Sequence, residues 1–140
     1  MSKDFIEAYK DSISRNIEFF AYEFFDETKL DFLFETEEDT VSYVDGLYLK
    51  DKVQTLYLFT DEKIRTINLL IEDGEKVIKT SSFNVVNVCG VSLEQKTHED
   101  VKLTIEFTDG NKISLDNNNV FSSWKDRANI AIKKIHKKYY

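Results

Sequence analysis

The sequence contains no proline, a single cysteine, Cys89, and four glycines that stand apart at 46, 74, 90 and 110. A lone cysteine excludes an internal disulfide. Glycines so dispersed supply neither a G-x-G-x-x-G nor a G-x-x-x-x-G-K loop, so phosphate-cradling turns of either kind are missing. No apolar run approaches the ~20 residues that span a bilayer, and no charged-then-apolar leader stands at the front. The expected location is therefore the cytoplasm. Positive charge is scarce as well: 19 Lys and Arg against 26 Asp and Glu leave a net charge of −7. Phosphate backbones and anionic lipid both require a positive field that outlasts salt screening, so no nucleic-acid partner is expected and membrane association is disfavoured.

What the chain does have is length and aromatic mass. Its 140 residues fit one domain, which at this size buries roughly two thirds of the surface of the unfolded chain. Eleven Phe and seven Tyr raise the aromatic share to 14%, a composition that packs rather than one that stays disordered. The charge is uneven along it: residues 1–50 carry 13 acids and 5 bases, 51–100 carry 9 and 6, and 101–140 carry 4 and 8. An acidic front and a basic tail imply internal pairing or a bipolar surface. A chain that is proline-free and rich in Lys, Asn and Ile would also suit an accessory protein from an AT-rich bacterial or phage genome.

At the front, Phe5, Tyr9, Ile13, Ile17, Phe20 and Phe24 recur at spacings of three and four. This is one face of an amphipathic helix, expected over residues 1–27. Phe19, Tyr22 and Phe25 fall off that face, and either pack under the following loop or form a partner-binding ridge.

From residue 40 to 116 the period shortens to two. Asp45-Gly46 between Val41–Val44 and Leu47–Leu49 predicts a type I′ hairpin, since that turn needs positive φ at both central residues. Val53–Thr60 and Ile64–Ile71 follow, then a break at Glu72-Asp73-Gly74-Glu75, a short strand over 76–80 and a longer one over 84–93. Val101–Thr108 alternates cleanly, Asp109-Gly110-Asn111 turns it, and Lys112–Asp116 returns. Seven or eight short antiparallel strands in a meander predict a barrel or sandwich.

The tail, VFSSWKDRANIAIKKIHKKYY, reads as a helix over residues 122–138. Ser123 with Asp126 fits a capping box, and Trp124, Ala128, Ala131, Ile135 and Tyr139 make a narrow apolar stripe that Ile132 widens. Two alanines in the stripe suit close docking on a sheet better than insertion into a lipid interface. Lys133 and Lys137 lie opposite the stripe, while Arg127, Lys134 and Lys138 flank it.

A strand meander closed by one amphipathic helix resembles the pleckstrin-homology-like domains. Three stretches are similar to bacterial and GRAM-type members: YLFTDEKIRTINL (57–69), VKLTIEFTDGNKISL (101–115) and the helix carrying Trp124. The resemblance covers about residues 40–140. It implies that the last helix closes one open end of a bent sheet with its tryptophan in the core. The turn Val44-Asp45-Gly46-Leu47 lacks the Lys and Arg cluster of lipid-binding members, so inositide binding is not carried over, and the N-terminal helix is an addition. The fold class expected is mostly β with flanking helices.

Chemistry-bearing residues are sparse. Cys89 sits in the apolar run NVVNVCGVSL and reads as a small buried hydrophobe. His98-Glu99-Asp100 and the acids Glu35, Glu37, Glu38 and Asp39 lack the spacing of a metal site. No catalytic residue, metal or cofactor is therefore assigned. The expected role is a non-enzymatic binding module acting on another protein or on itself. Its candidate surfaces are the ridge Phe19, Tyr22 and Phe25 and the basic face Lys133, Lys137 and Lys138. One alternative is a small-molecule or nucleotide-sequestering protein using Lys96, His98 and Lys102; another is peripheral membrane association through the basic helix.

Overall fold

The computed structural model describes residues 5–9, 36–47, 49, 54–96 and 100–140, with the backbone alone at 69–71, 75 and 76. Seven strands are found among the described residues: β1 Val41–Asp45, β2 Thr55–Phe59, β3 Lys63–Glu72, β4 Glu75–Asn84, β5 Val88–Gln95, β6 Val101–Phe107 and β7 Lys112–Asp116. They form two antiparallel sheets, ordered β1-β2-β3-β4 and β5-β6-β7. A helix, Lys125–Tyr139, follows. The sheets are not joined into a closed barrel.

Period-two patterning explains most of these strands. In β6, Val101, Leu103, Ile105 and Phe107 are buried while Lys102 and Glu106 are exposed, and Ile113 and Leu115 of β7 face the same interior. Leu56, Leu58 and Phe59 of β2 and Ile64 and Ile67 of β3 supply the opposite wall. The two walls meet at the corner between β4 and β5. There a 3-10 turn, Val85–Asn87, is capped by Asn84, whose Oδ1 accepts from Val86 N at 3.2 Å. Phe83 stacks on Phe107 with centroids 4.6 Å apart, and Thr108 N donates to Asn87 O at 2.9 Å. The expected strand boundaries shift accordingly: β4 runs on to Asn84, because ten residues of β3 pair with it from Lys63↔Asn84 to Glu72↔Glu75.

Asp45-Gly46 does not make the expected hairpin. β1 pairs instead with β2, Val41↔Phe59 to Asp45↔Thr55. The residues after β1 are claimed by a distant partner: Gly46 N donates to Asn119 O at 2.7 Å, Phe121 N donates to Leu47 O at 2.9 Å, and Asn119 Nδ2 donates to Asp45 Oδ1 at 2.6 Å. Leu47 itself is fully buried. The two-residue hairpin with positive φ at both central positions falls at Asp73-Gly74, φ 50° and 78°, between the paired Glu72 and Glu75.

The Lys125–Tyr139 helix buries Ala128, Ala131, Ile132 and Ile135, the stripe read from the sequence, and rests on β1, β5 and β6, so it touches both sheets. Alanine at two of these positions lets the helix axis come close to the strands. The capping box at Ser123 does not form. The helix grows directly out of a 3-10 turn, Ser122–Trp124: Trp124 N donates to Phe121 O at 2.8 Å, and Lys125 N, the first of the helix, donates to Ser122 O.

Trp124 lies in the core, its ring 5.2 Å from Phe5 with the Arg127 guanidinium 4.3 Å from its centroid. Phe5 also stacks on Tyr43 at 5.0 Å. Residues 5–9 are helical, with Phe5, Ala8 and Tyr9 buried, in keeping with the apolar face expected there. The rest of the expected N-terminal helix, with Phe19, Tyr22 and Phe25, lies outside the described residues.

Candidate functional site

The C-terminal end of the Lys125–Tyr139 helix is fastened to the β2–β3 turn. Tyr139 Oη donates to Thr60 O at 2.6 Å, and its ring lies 6.1 Å from that of Phe59. Lys138, with only 13% of its side chain exposed, reaches Asp61 Oδ1 at 2.7 Å, Asp39 Oδ2 at 3.6 Å and Asp39 O at 3.1 Å. Asp61 N in turn donates to Asp39 Oδ2 at 2.8 Å. That backbone N–H, assisted by the Lys138 ammonium, holds the Asp39 carboxyl below the usual carboxylate range. Burial, and then the charges of Asp61 and Asp39, push the Tyr139 phenol well above its ordinary value.

One helical turn away the electrostatics reverse. Lys133, Lys134 and Lys137 are exposed, and among the described residues none of them meets a carboxylate, although Lys79, Lys96, Lys112, Lys125 and Lys138 all do. Ile130 shares their side of the helix, since Lys133, Lys134 and Lys137 follow it at i+3, i+4 and i+7, and it is 57% exposed. The basic face expected from the sequence therefore divides. Lys133 and Lys137 stand free on it, whereas Lys138 is spent on an internal clamp. Lys134 and Ile130 complete the free face. The i+3, i+4 and i+7 spacing that marks them is visible in the sequence, but the apolar stripe on the other side draws attention first.

Glu37, Glu38 and Glu62 form the acidic counterpart. All three are exposed and none has a basic partner among the described residues. Glu37 belongs to an ordered turn, in which Thr40 N donates to Glu37 O and Glu37 N donates to Thr40 Oγ1, each at 3.0 Å. Glu62 N donates to Thr60 Oγ1 at 3.3 Å in the β2–β3 turn. Since Lys138 grips Asp39 and Asp61, both acidic turns lie beside the basic face with Lys138 at the boundary.

The second candidate cluster is brought together only in part. Lys96 and Lys102 line one hollow of about 90 Å³ with Glu94, Asp100 and Asp116, while His98 lies outside the described residues. Lys96 is 4.0 Å from Glu94, and Asp100 is held by Lys125 at 2.7 Å. The hollow falls far short of the roughly 300–1,000 Å³ of small-molecule pockets, and its acids outnumber its bases. A larger, open groove of about 590 Å³ passes the β4–β5 corner, lined in part by Glu62, Lys63, Asn84 and Val85, with Val86 81% exposed.

Cys89 departs from expectation in being exposed. The β5–β6 register shifts between Val88 and Gly90, and this bulge takes Cys89 out of the inward alternation. Among the described residues no three His, Cys, Asp or Glu side chains converge as metal ligands, and no helix is long and apolar enough to cross a membrane.

In comparisons with protein-family models, with curated proteins and with solved structures, nothing matches the chain.

Proposed function

We propose that this chain is a non-enzymatic protein-interaction module of pleckstrin-homology-like architecture, which presents the outer face of its Lys125–Tyr139 helix to an acidic protein surface. The architectural part is supported by two antiparallel sheets of four and three strands with one helix laid across both. The observation that carries the functional part is the set of three unpaired lysines, Lys133, Lys134 and Lys137, around an exposed isoleucine. The opposite side of the same helix is locked into the core, so this face is rigid. Like charges at i and i+4 oppose helix formation by a few tenths of a kcal/mol, a cost that an acidic partner turns into attraction.

The small-molecule reading has one observation on its side, the convergence of Lys96 and Lys102. The carboxylates of that hollow and its size weigh against an anionic ligand.

The test is native mass spectrometry of the wild type and of a Lys133→Glu/Lys134→Glu/Lys137→Glu variant, each purified from the chain's own host at low salt. The reading expects a complex with wild type that is absent with the variant, while thermal stability stays nearly unchanged. The same complexes with both proteins would remove the helix face from consideration.

A further inference from the structure

The acidic and basic patches are adjacent, joined at Lys138. Three lysines, Lys133, Lys134 and Lys137, find no acid among the described residues, and three glutamates, Glu37, Glu38 and Glu62, find no base. Lys134 precedes Lys138 by one turn, about 6 Å along the helix axis, and Lys138 contacts both acidic turns. A surface with a positive half beside a negative half is complementary to itself. Rotated by 180° about an axis at the boundary, each half lands on its opposite.

From this we infer that the bipolar corner is an isologous docking surface for a second copy of the chain, which deepens the proposal above by naming the acidic partner. The lysine face of each protomer meets Glu37, Glu38 and Glu62 of the other, and Lys138 sits near the two-fold axis. Exposed Ile130, two turns from Lys138, adds an apolar contact at the outer end of each lysine face. The net charge of −7 is spread over the whole surface and its repulsion is screened beyond about 14 Å at 0.05 M salt, whereas the facing patches would meet at contact distance. A foreign acidic protein would satisfy the lysines but leave the neighbouring glutamates facing it, like charge against like. The second copy satisfies both.

Analytical ultracentrifugation of the full chain tests the inference. Wild type should dimerise at low salt, and the dimer should weaken by about tenfold between 0.05 M and 0.5 M NaCl, as expected of screened surface charges. The variant Lys133→Glu/Lys134→Glu/Lys137→Glu should be monomeric, as should Glu37→Lys/Glu38→Lys/Glu62→Lys. An equimolar mixture of the two variants should recover a dimer, a result that neither misfolding nor general charge effects would produce. A wild type that stays monomeric at 0.05 M NaCl, charge-reversed variants that still dimerise, or a mixture that stays monomeric each overturn the inference. If a monomeric wild type still binds a host protein through Lys133, Lys134 and Lys137, self-docking is lost while the interaction reading stands. If it instead sediments with phosphatidylglycerol vesicles, both are lost.

Discussion

Trp124 and Tyr139 stand at opposite ends of one helix and fix it by different means. Trp124 is held by contact, with Phe5 on one side and the Arg127 guanidinium over its ring. Trp124→Ala should therefore cost about 3–5 kcal/mol in urea unfolding, as for other buried aromatics; a loss below about 1 kcal/mol would place the ring outside the core. Tyr139 is held by a directed bond to Thr60 O. Tyr139→Phe keeps the ring against Phe59 and removes only the hydroxyl, so its cost should be about 0.5–1.5 kcal/mol. Cys89 offers a chemical check on the β5 bulge: it should react with a thiol reagent such as DTNB in the native protein without denaturant, whereas a buried cysteine would require unfolding.

At the level of elements, patterning was legible and partnering was not. The alternation of β6 and the stripe Ala128, Ala131, Ile132 and Ile135 follow from local period alone, and both are found where they were expected. Two identical Asp-Gly signals had different outcomes. At Asp73-Gly74 the flanking strands pair and the turn is tight, while at Asp45-Gly46 the backbone is taken by Asn119 and Phe121, more than seventy residues away. Nothing local distinguishes the two. Nor does local sequence reveal that Lys138, alone of the expected basic face, turns to Asp39 and Asp61. Gly74 has φ +78° with nothing within 4 Å of an added Cβ. Gly74→Ala should thus lower stability by about 1–2 kcal/mol through backbone strain alone. Gly90→Ala meets only an ordinary 3.6 Å contact with the Glu106 side chain and should be nearly silent in the same assay.

For the whole molecule, the acidic front and basic tail are used in two ways. Lys125 and Lys138 pair internally with Asp100, Asp39 and Asp61, while Lys133, Lys134 and Lys137 and Glu37, Glu38 and Glu62 meet no opposite charge among the described residues. The pH dependence of stability follows from the buried and paired groups. Asp39 is depressed below 3.8 in the folded state, so its contribution is present at neutral pH and is lost as pH falls through and below that value. Tyr9, Tyr43 and Tyr139 are raised well above 10.0 by burial first of all, and Tyr57 is raised to about 12. Their contribution is full below pH 10 and is lost as pH rises beyond it. Urea midpoints should therefore hold level from about pH 5 to 9 and fall on both sides, and absorbance at 295 nm should show these phenols ionising only as the protein unfolds.

The central claim is that the inward side of the Lys125–Tyr139 helix completes the core while its outward side docks protein. Lysine acetylation, read by mass spectrometry, tests it most directly on protein kept in its native host extract at low salt and on the same protein diluted into high salt. Lys133, Lys134 and Lys137 should be shielded in the first state and reactive in the second, with exposed Lys102 equally reactive in both. Equal modification of all four lysines in the two states would contradict the claim.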